Sequence, residues 1–242
     1  QPNTHTRSVL LMRIGGGLHG GPGIHGVHLG EDVVIRYRGD AKRETIPWVE
    51  YRRGGTVRVY QSAGAGQVPL GEIREMDCMD CHNRPTHAFQ MPDPAVNEAM
   101  AAGRIARDLP FAKRQAMAAL KGVYRDHGEA AARIRQEFEG FYSREFPDVY
   151  KARRADIERS GEAVVAIYTR NVFPSMKVGW GTYPNHIGHN DFPGCFRCHD
   201  GEHTAEGGRT IGQDCNSCHQ LLAMDEPSPK ILTELGLEEA AK

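Results

Sequence analysis

Apolar and polar residues alternate in one part of this chain, recur at helical spacing in another, and follow neither rule in the rest of its 242 residues. Between residues 32 and 62 the β-branched and aromatic residues fall in short runs. Val33 to Tyr37, Ile46 to Tyr51 and Thr56 to Tyr60 predict strands, and Arg53-Gly54-Gly55-Thr56 predicts the turn of a hairpin. A small antiparallel sheet is expected there. From Asp93 to Val172 alanine, arginine and glutamate dominate, which predicts helices over 94–103, 110–124, 127–144 and 148–171. Leu109-Pro110, Gly128 and Phe146-Pro147 separate them. Ile157, Val164, Val165, Ile167 and Tyr168 lie near helical spacing and read as bundle core rather than as a cofactor box.

The flanking regions have no such period. The run from Gly15 to His28 is rich in glycine and histidine and reads as an extended arm. Residues 172–220 are irregular and rich in glycine and proline, and a short helix is expected after Pro227. Four parts follow: an arm over 1–30, a small β region with one cofactor motif over 31–92, a helical scaffold over 93–172, and a region with two further motifs over 173–242. Glycine makes up 28 residues, well above the usual share of about 7%, which favours loops wrapped around large groups. The formal charge of −1 gives no argument for a nucleic-acid partner. No apolar run approaches the roughly 20 residues of a membrane helix. A start at Gln1 rather than Met fits an exported chain whose leader has been removed.

The cysteines change the picture most. All six fall in three Cys-x-x-Cys-His units: Cys78 and Cys81 before His82, Cys195 and Cys198 before His199, Cys215 and Cys218 before His219. This pentapeptide is the attachment site of c-type haem, with two thioether bonds to the porphyrin and the adjacent histidine on the iron. Disulfides give no reason for a histidine after each second cysteine. A zinc ribbon uses two Cys-x-x-Cys pairs, which leaves the third unexplained. The implied cofactors are three covalently bound haem c groups. The fold class expected is a multihaem cytochrome c, mainly α, with large irregular haem-binding regions and a small antiparallel sheet near the N-terminus.

A haem with one histidine has an open face for chemistry, whereas one with two is saturated and carries electrons. Of the 12 histidines three are proximal, which leaves nine (12 − 3) for three distal positions. Ligation by two histidines at all three irons is the economical reading. His87 and His203 lie five and four residues beyond His82 and His199, too close to pass round a porphyrin edge, so each would serve a different haem. His186 and His189 precede the second unit in a Pro/Gly loop and are further candidates. His127 reads as solvated, and Met91 is the nearest methionine alternative. From the arm, His5, His19, His25 or His28 reaches a haem of this chain or of a neighbouring copy; a head-to-tail contact of that kind generates filaments.

The stretches Met76 through His87, Asn171-Val172-Phe173-Pro174, Thr182 through His203 and Thr45-Ile46-Pro47-Trp48-Val49 resemble the periplasmic and extracellular multihaem cytochromes related to the NapC/NirT family. The resemblance spans about residues 25–235. It implies haems with two histidine ligands, an anaerobic or metal-respiring electron-transfer setting, and no substrate turnover. The sequence departs from that group in having no membrane anchor, the part used for quinol oxidation, and three haem units where relatives commonly have four or more. The loss of the anchor together with the arm is similar to extracellular cytochromes that polymerise into conductive filaments.

The expected function is therefore electron conduction along a row of haems, discrete or polymerised through the N-terminal arm, and not catalysis. The expected partners are redox proteins or extracellular acceptors, and the expected location is periplasmic or extracellular. A soluble periplasmic shuttle is one alternative. A haem reductase of a small oxyanion such as nitrite is the other, and it requires a five-coordinate iron beside hydrogen-bond donors.

Overall fold

The computed structural model of this protein describes residues 3–15, 23–63, 66, 71–83 and 87–237. In chain order the elements are β1 (Arg7–Met12), α1 (Ile24–Leu29), β2 (Val33–Arg38), β3 (Trp48–Arg53), β4 (Thr56–Gln61) and β5 (Arg74–Glu75). Then come α2 (Cys78–Cys81), α3 (Pro92–Ala101), α4 (Ala112–Leu120), α5 (His127–Glu145), α6 (Pro147–Ala152) and α7 (Arg154–Asn171). β6 (Thr204–Ala205), β7 (His219–Glu226) and α8 (Lys230–Glu234) complete the chain. These elements form two compact units, Gln1–Thr6 with Pro85–Tyr183 and Arg7–Arg84 with Pro184–Lys242.

The first unit holds α3 to α7. Its core is built from Val96, Leu109, Leu120, Ile134, Phe138, Tyr142, Ile157 and Val164, all essentially inaccessible to solvent. α5 begins where the Asp126 carboxylate accepts from the Glu129 N–H at 2.8 Å, and it ends at Phe146, just ahead of Pro147 at the start of α6. The helix predicted over 110–124 is shorter. Phe111 sits at φ 57° ahead of it, and Tyr124 folds back past Gly122 to donate to the Ala119 carbonyl at 2.7 Å. A side chain at Gly122 would collide with the Tyr124 ring. The predicted helix over 148–171 divides at Arg153, whose guanidinium spans Asp108 and Asp156.

The second unit holds a five-stranded antiparallel sheet, ordered β5-β2-β3-β4-β6. Alternate residues of β2, Val33, Ile35 and Tyr37, point into a core with Ile46, Val49 and Tyr60. Gly54 and Gly55, at φ 52° and 78°, supply the left-handed turn between β3 and β4. A separate ribbon pairs β1 with β7, with Leu10 opposite Leu221 and Met12 opposite His219. Expected as an extended arm, residues 7–12 are instead a strand, because their partner lies some two hundred residues away and no local turn announces it. The description mainly α holds for the helical unit alone; the other unit is sheet, ribbon, the short helices α1, α2 and α8, and irregular chain.

Candidate haem-binding site

All three Cys-x-x-Cys-His units lie in the sheet-containing unit. The first is a single turn of helix with reciprocal capping. The Asp77 carboxylate accepts from the Met79 N–H at 2.7 Å, and the Asp80 carboxylate accepts from the Asp77 N–H at 2.9 Å. The second and third form tight 3-10 turns over Gly194–Arg197 and Cys215–Ser217, the latter capped by Asp214. Turns of this kind bring the two thiols to one side and the following histidine beside them. All six thiols are free. Burial pushes the second thiol of each unit upward, that of Cys198 to about 12, so these sulfurs are held protonated and uncharged.

Each proximal histidine faces one other histidine ring. His82 faces His25 with ring centres 6.3 Å apart, His199 faces His28 at 5.8 Å, and His219 faces His189 at 6.3 Å. A metal–imidazole distance of about 2.0–2.1 Å, plus roughly 1.1 Å from nitrogen to ring centre on each side, gives a separation near 6.3 Å for two rings sharing one ion. The His28–His199 pair is also oriented. His28 Nδ1 donates to the Ile24 carbonyl at 2.7 Å and His199 Nδ1 to the Gly212 carbonyl at 2.8 Å. Both Nε2 atoms are thereby left as the ligating nitrogens. Burial, with smaller contributions from His199 and His25, lowers the His28 pKa and keeps the ring neutral; the Ile24 carbonyl opposes it.

His25 and His28 stand three residues apart on one side of α1. The helix starts from the end of the ribbon: the N–H groups of Ile24 and His25 donate to the carbonyls of Arg13 and Ile14. Gly23, at φ 147°, lies against Gly15 and Arg13, where a Cβ would clash. Within the expected arm the described residues thus form the strand β1 and the short helix α1, which presents two imidazoles.

The surroundings suit a large flat apolar group. An open cavity of about 240 Å³ lies at His28 and His199, walled by Val27, Ile35, Val49, Tyr60, Met76 and Ile211, with Cys198 also in its lining. On the ribbon, strand alternation and register put Leu10, Met12 and Leu221 on the face that carries His219, and these three apolar side chains are exposed. Paired thiols, paired imidazoles and apolar walls together fit haem c.

The other candidates are placed elsewhere. His203 is buried with both ring nitrogens engaged, Nδ1 with Asp200 at 2.9 Å and Nε2 with the Ile46 carbonyl at 2.7 Å. His186 is buried with neither nitrogen bonded and faces none of the proximal rings among the described contacts. Burial, then the charges of Arg197 and Arg43, push its pKa down to about 4, so it is neutral. His87 and His127 lie in the helical unit and donate from Nε2 to the Arg170 and Val172 carbonyls at 2.7 and 2.6 Å, closing the C-terminal end of α7. Met91 precedes α3, His5 is exposed, and His19 lies outside the described residues.

Two functional side chains lie inside the pentapeptides and were not singled out from sequence. The Asp80 carboxylate is buried and accepts from Tyr37 and, at 2.9 Å, from Arg43. Arg197, also buried, donates from Nη2 to the Asp80 carbonyl at 2.7 Å and so ties the second unit to the first. A charged residue between the cysteines was the available signal; its partner was not predictable. The third unit is anchored differently, through the Arg13 N–H to the Cys218 carbonyl at 2.8 Å.

Thiol pairs with an adjacent histidine, each opposed by a second histidine, are the donor set of a c-type cytochrome. Over 242 residues the chain is 39% identical to "Cytochrome c-type protein ImcH" of Geobacter sulfurreducens, an alignment covering 96% of this chain and 47% of that protein. The likeness is to a c-type cytochrome, in agreement with the donor set of the site. The chain spans about half the length of the curated relative it matches. No protein-family model matches it, and neither does a solved structure.

Proposed function

We propose that this chain is an electron-transfer module that binds three haem c groups, each iron between two histidines. The pairs are His82 with His25, His199 with His28, and His219 with His189. The observation that carries this reading is the spacing of the three ring pairs, 6.3, 5.8 and 6.3 Å. Bound haem c supplies a one-electron ferric/ferrous couple. The protein's part is to attach the groups through six thiols, orient His28 and His199 through their Nδ1 bonds, and surround the second site with apolar side chains.

With an imidazole on each side the irons have no open position, so the reading is a carrier rather than an oxyanion reductase. It takes redox proteins or extracellular acceptors as partners and works outside the cytoplasmic membrane, where thioether attachment takes place. Among the described residues no helix is long and apolar enough to cross a membrane. His25 and His28 each face a proximal ring of their own chain, so the module needs no ligand from a neighbouring copy to complete its sites. The filament reading is separated from the discrete one by a sizing column.

The test is the optical and EPR spectrum of the oxidised protein together with its haem-to-protein ratio. Three haems per chain, all low-spin, are expected. A high-spin component, or fewer than three haems, refutes the assignment.

A further inference from the structure

Phe196 stands between the two thiols of the second haem motif, a position where covalent attachment needs no aromatic ring. It belongs to neither hydrophobic core and is 37% exposed, so core packing does not account for it. Its one described ring contact is with His189, nearly parallel, with 4.2 Å between centres and 11° between planes. His189 in turn faces His219 of the third motif at 6.3 Å. A ring from the second motif therefore lies against the imidazole that pairs with the third proximal histidine.

His189 has more need of such a neighbour than the other two distal candidates. A ligating histidine is ordinarily oriented by a second contact. His28 is oriented by its Nδ1 bond to the Ile24 carbonyl, and His25 rides on the same helix. His189 lies on irregular chain and is exposed, and no hydrogen bond to its ring is among the described contacts. The outer torsion of a histidine side chain is broad and settles only against something beside it. Phe196 covers one face of the ring and so limits that torsion. The two ring nitrogens lie in the imidazole plane, so the stack occupies the face and leaves both of them free. The backbone works in the same sense. The Cys195 N–H donates to the Gly188 carbonyl at 2.9 Å, which closes residues 189–194 into a loop on the second motif.

We infer that Phe196 is a positioning residue that holds His189 on the third iron from within the second haem motif. This rests on the three-haem reading above and on its pairing of His189 with His219. The consequence is an effect across motifs: a change between Cys195 and Cys198 acts on the haem of His219 and not on the haem of its own motif.

The experiment is a cyanide titration of the oxidised, haem-loaded protein, followed by optical and EPR spectra, with haem content measured on each variant. Cyanide takes the iron position that a distal histidine vacates, so the concentration for half displacement reports how firmly that histidine is held. Loss of a stacked aromatic pair corresponds to about a two- to tenfold change in an equilibrium constant. In Phe196→Leu one haem of three is expected to yield to about two- to tenfold less cyanide, and the other two at the unaltered concentration. Phe196→Tyr, which keeps the flat ring, is expected to titrate as the unsubstituted protein does. In His189→Ala one haem is already high-spin, and adding Phe196→Leu is expected to leave the other two unchanged. An unaltered titration in Phe196→Leu, an equal change at all three haems, or a change that persists without His189 overturns the proposal. So does a Phe196→Tyr protein that behaves like Phe196→Leu. Phe196→Ala takes the place of Phe196→Leu if the latter does not load three haems. Fewer than three haems in the unsubstituted protein, or no high-spin haem in His189→Ala, condemns the three-haem reading itself and the proposal with it.

Discussion

Replacing His28 with alanine removes one imidazole from one of three ring pairs, so its effect has a defined size. On the proposed three-haem reading, one haem in three is expected to lose its distal ligand and become high-spin, while the other two remain low-spin. The fold should tolerate the change: none of the six residues of α1 is fully buried, His28 being half-buried, and alanine is the better helix former. The deleted ring leaves a space of its own size opposite His199, which is room for a small ligand. Added imidazole should therefore restore the low-spin spectrum. The assay is the spin state of the oxidised protein by optical and EPR spectroscopy, before and after imidazole. His25→Ala with His28→Ala should convert two haems of three, and His186→Ala or His203→Ala none. A fully low-spin His28→Ala protein, or a high-spin signal from His203→Ala, refutes the pairing read from the ring distances.

Ile35 lies in the sheet core and on the wall of the cavity at His199, so Ile35→Ala should destabilise the sheet-containing unit by about 2–5 kcal/mol, read as a lower urea midpoint at the haem absorbance; an unchanged midpoint contradicts that placement. Gly194 is at φ 48° with its Cα against the Gly188 carbonyl, where a Cβ would overlap the oxygen, so Gly194→Ala should cost the second haem attachment. A full haem complement in that variant argues against the tight turn. Arg153 holds the carboxyls of Asp108 and Asp156 below their usual range through its hydrogen bonds to them. Their contribution is complete above the unfolded value of about 3.9 and is lost as pH falls through the lower folded values. Arg153→Met should shrink the loss of denaturant midpoint between pH 7 and pH 3, and an unaltered pH dependence rules out this origin.

The strands over 33–61 and their Gly54-Gly55 turn were legible in the sequence because their pairing is local, each strand meeting the next across a short connection. The helices over 92–171 were legible for a similar reason, with boundaries off where a single contact intervened, as at Tyr124 and Arg153. β1 and β7 were not legible, since neither has a turn joining it to its partner. His87 and His203 looked suitable by spacing from their proximal neighbours, yet their nitrogens bond to Arg170, Asp200 and Ile46. Spacing along the chain carries no information about a carbonyl contributed from more than eighty or a hundred residues away.

What the sequence determined by itself is the attachment chemistry. Two thiols and a histidine within five residues make a complete covalent site, because one turn of backbone suffices to present them together. What only the tertiary structure decided is which histidine faces which. That choice depends on a strand pairing that carries α1 to the sheet and on a Gly/Pro loop that carries His189 to His219. It also depends on the packing that buries Arg197 against the first motif. An imidazole needs only to arrive at the right separation and angle, and distant parts of the chain can deliver it equally well until the fold brings one of them there.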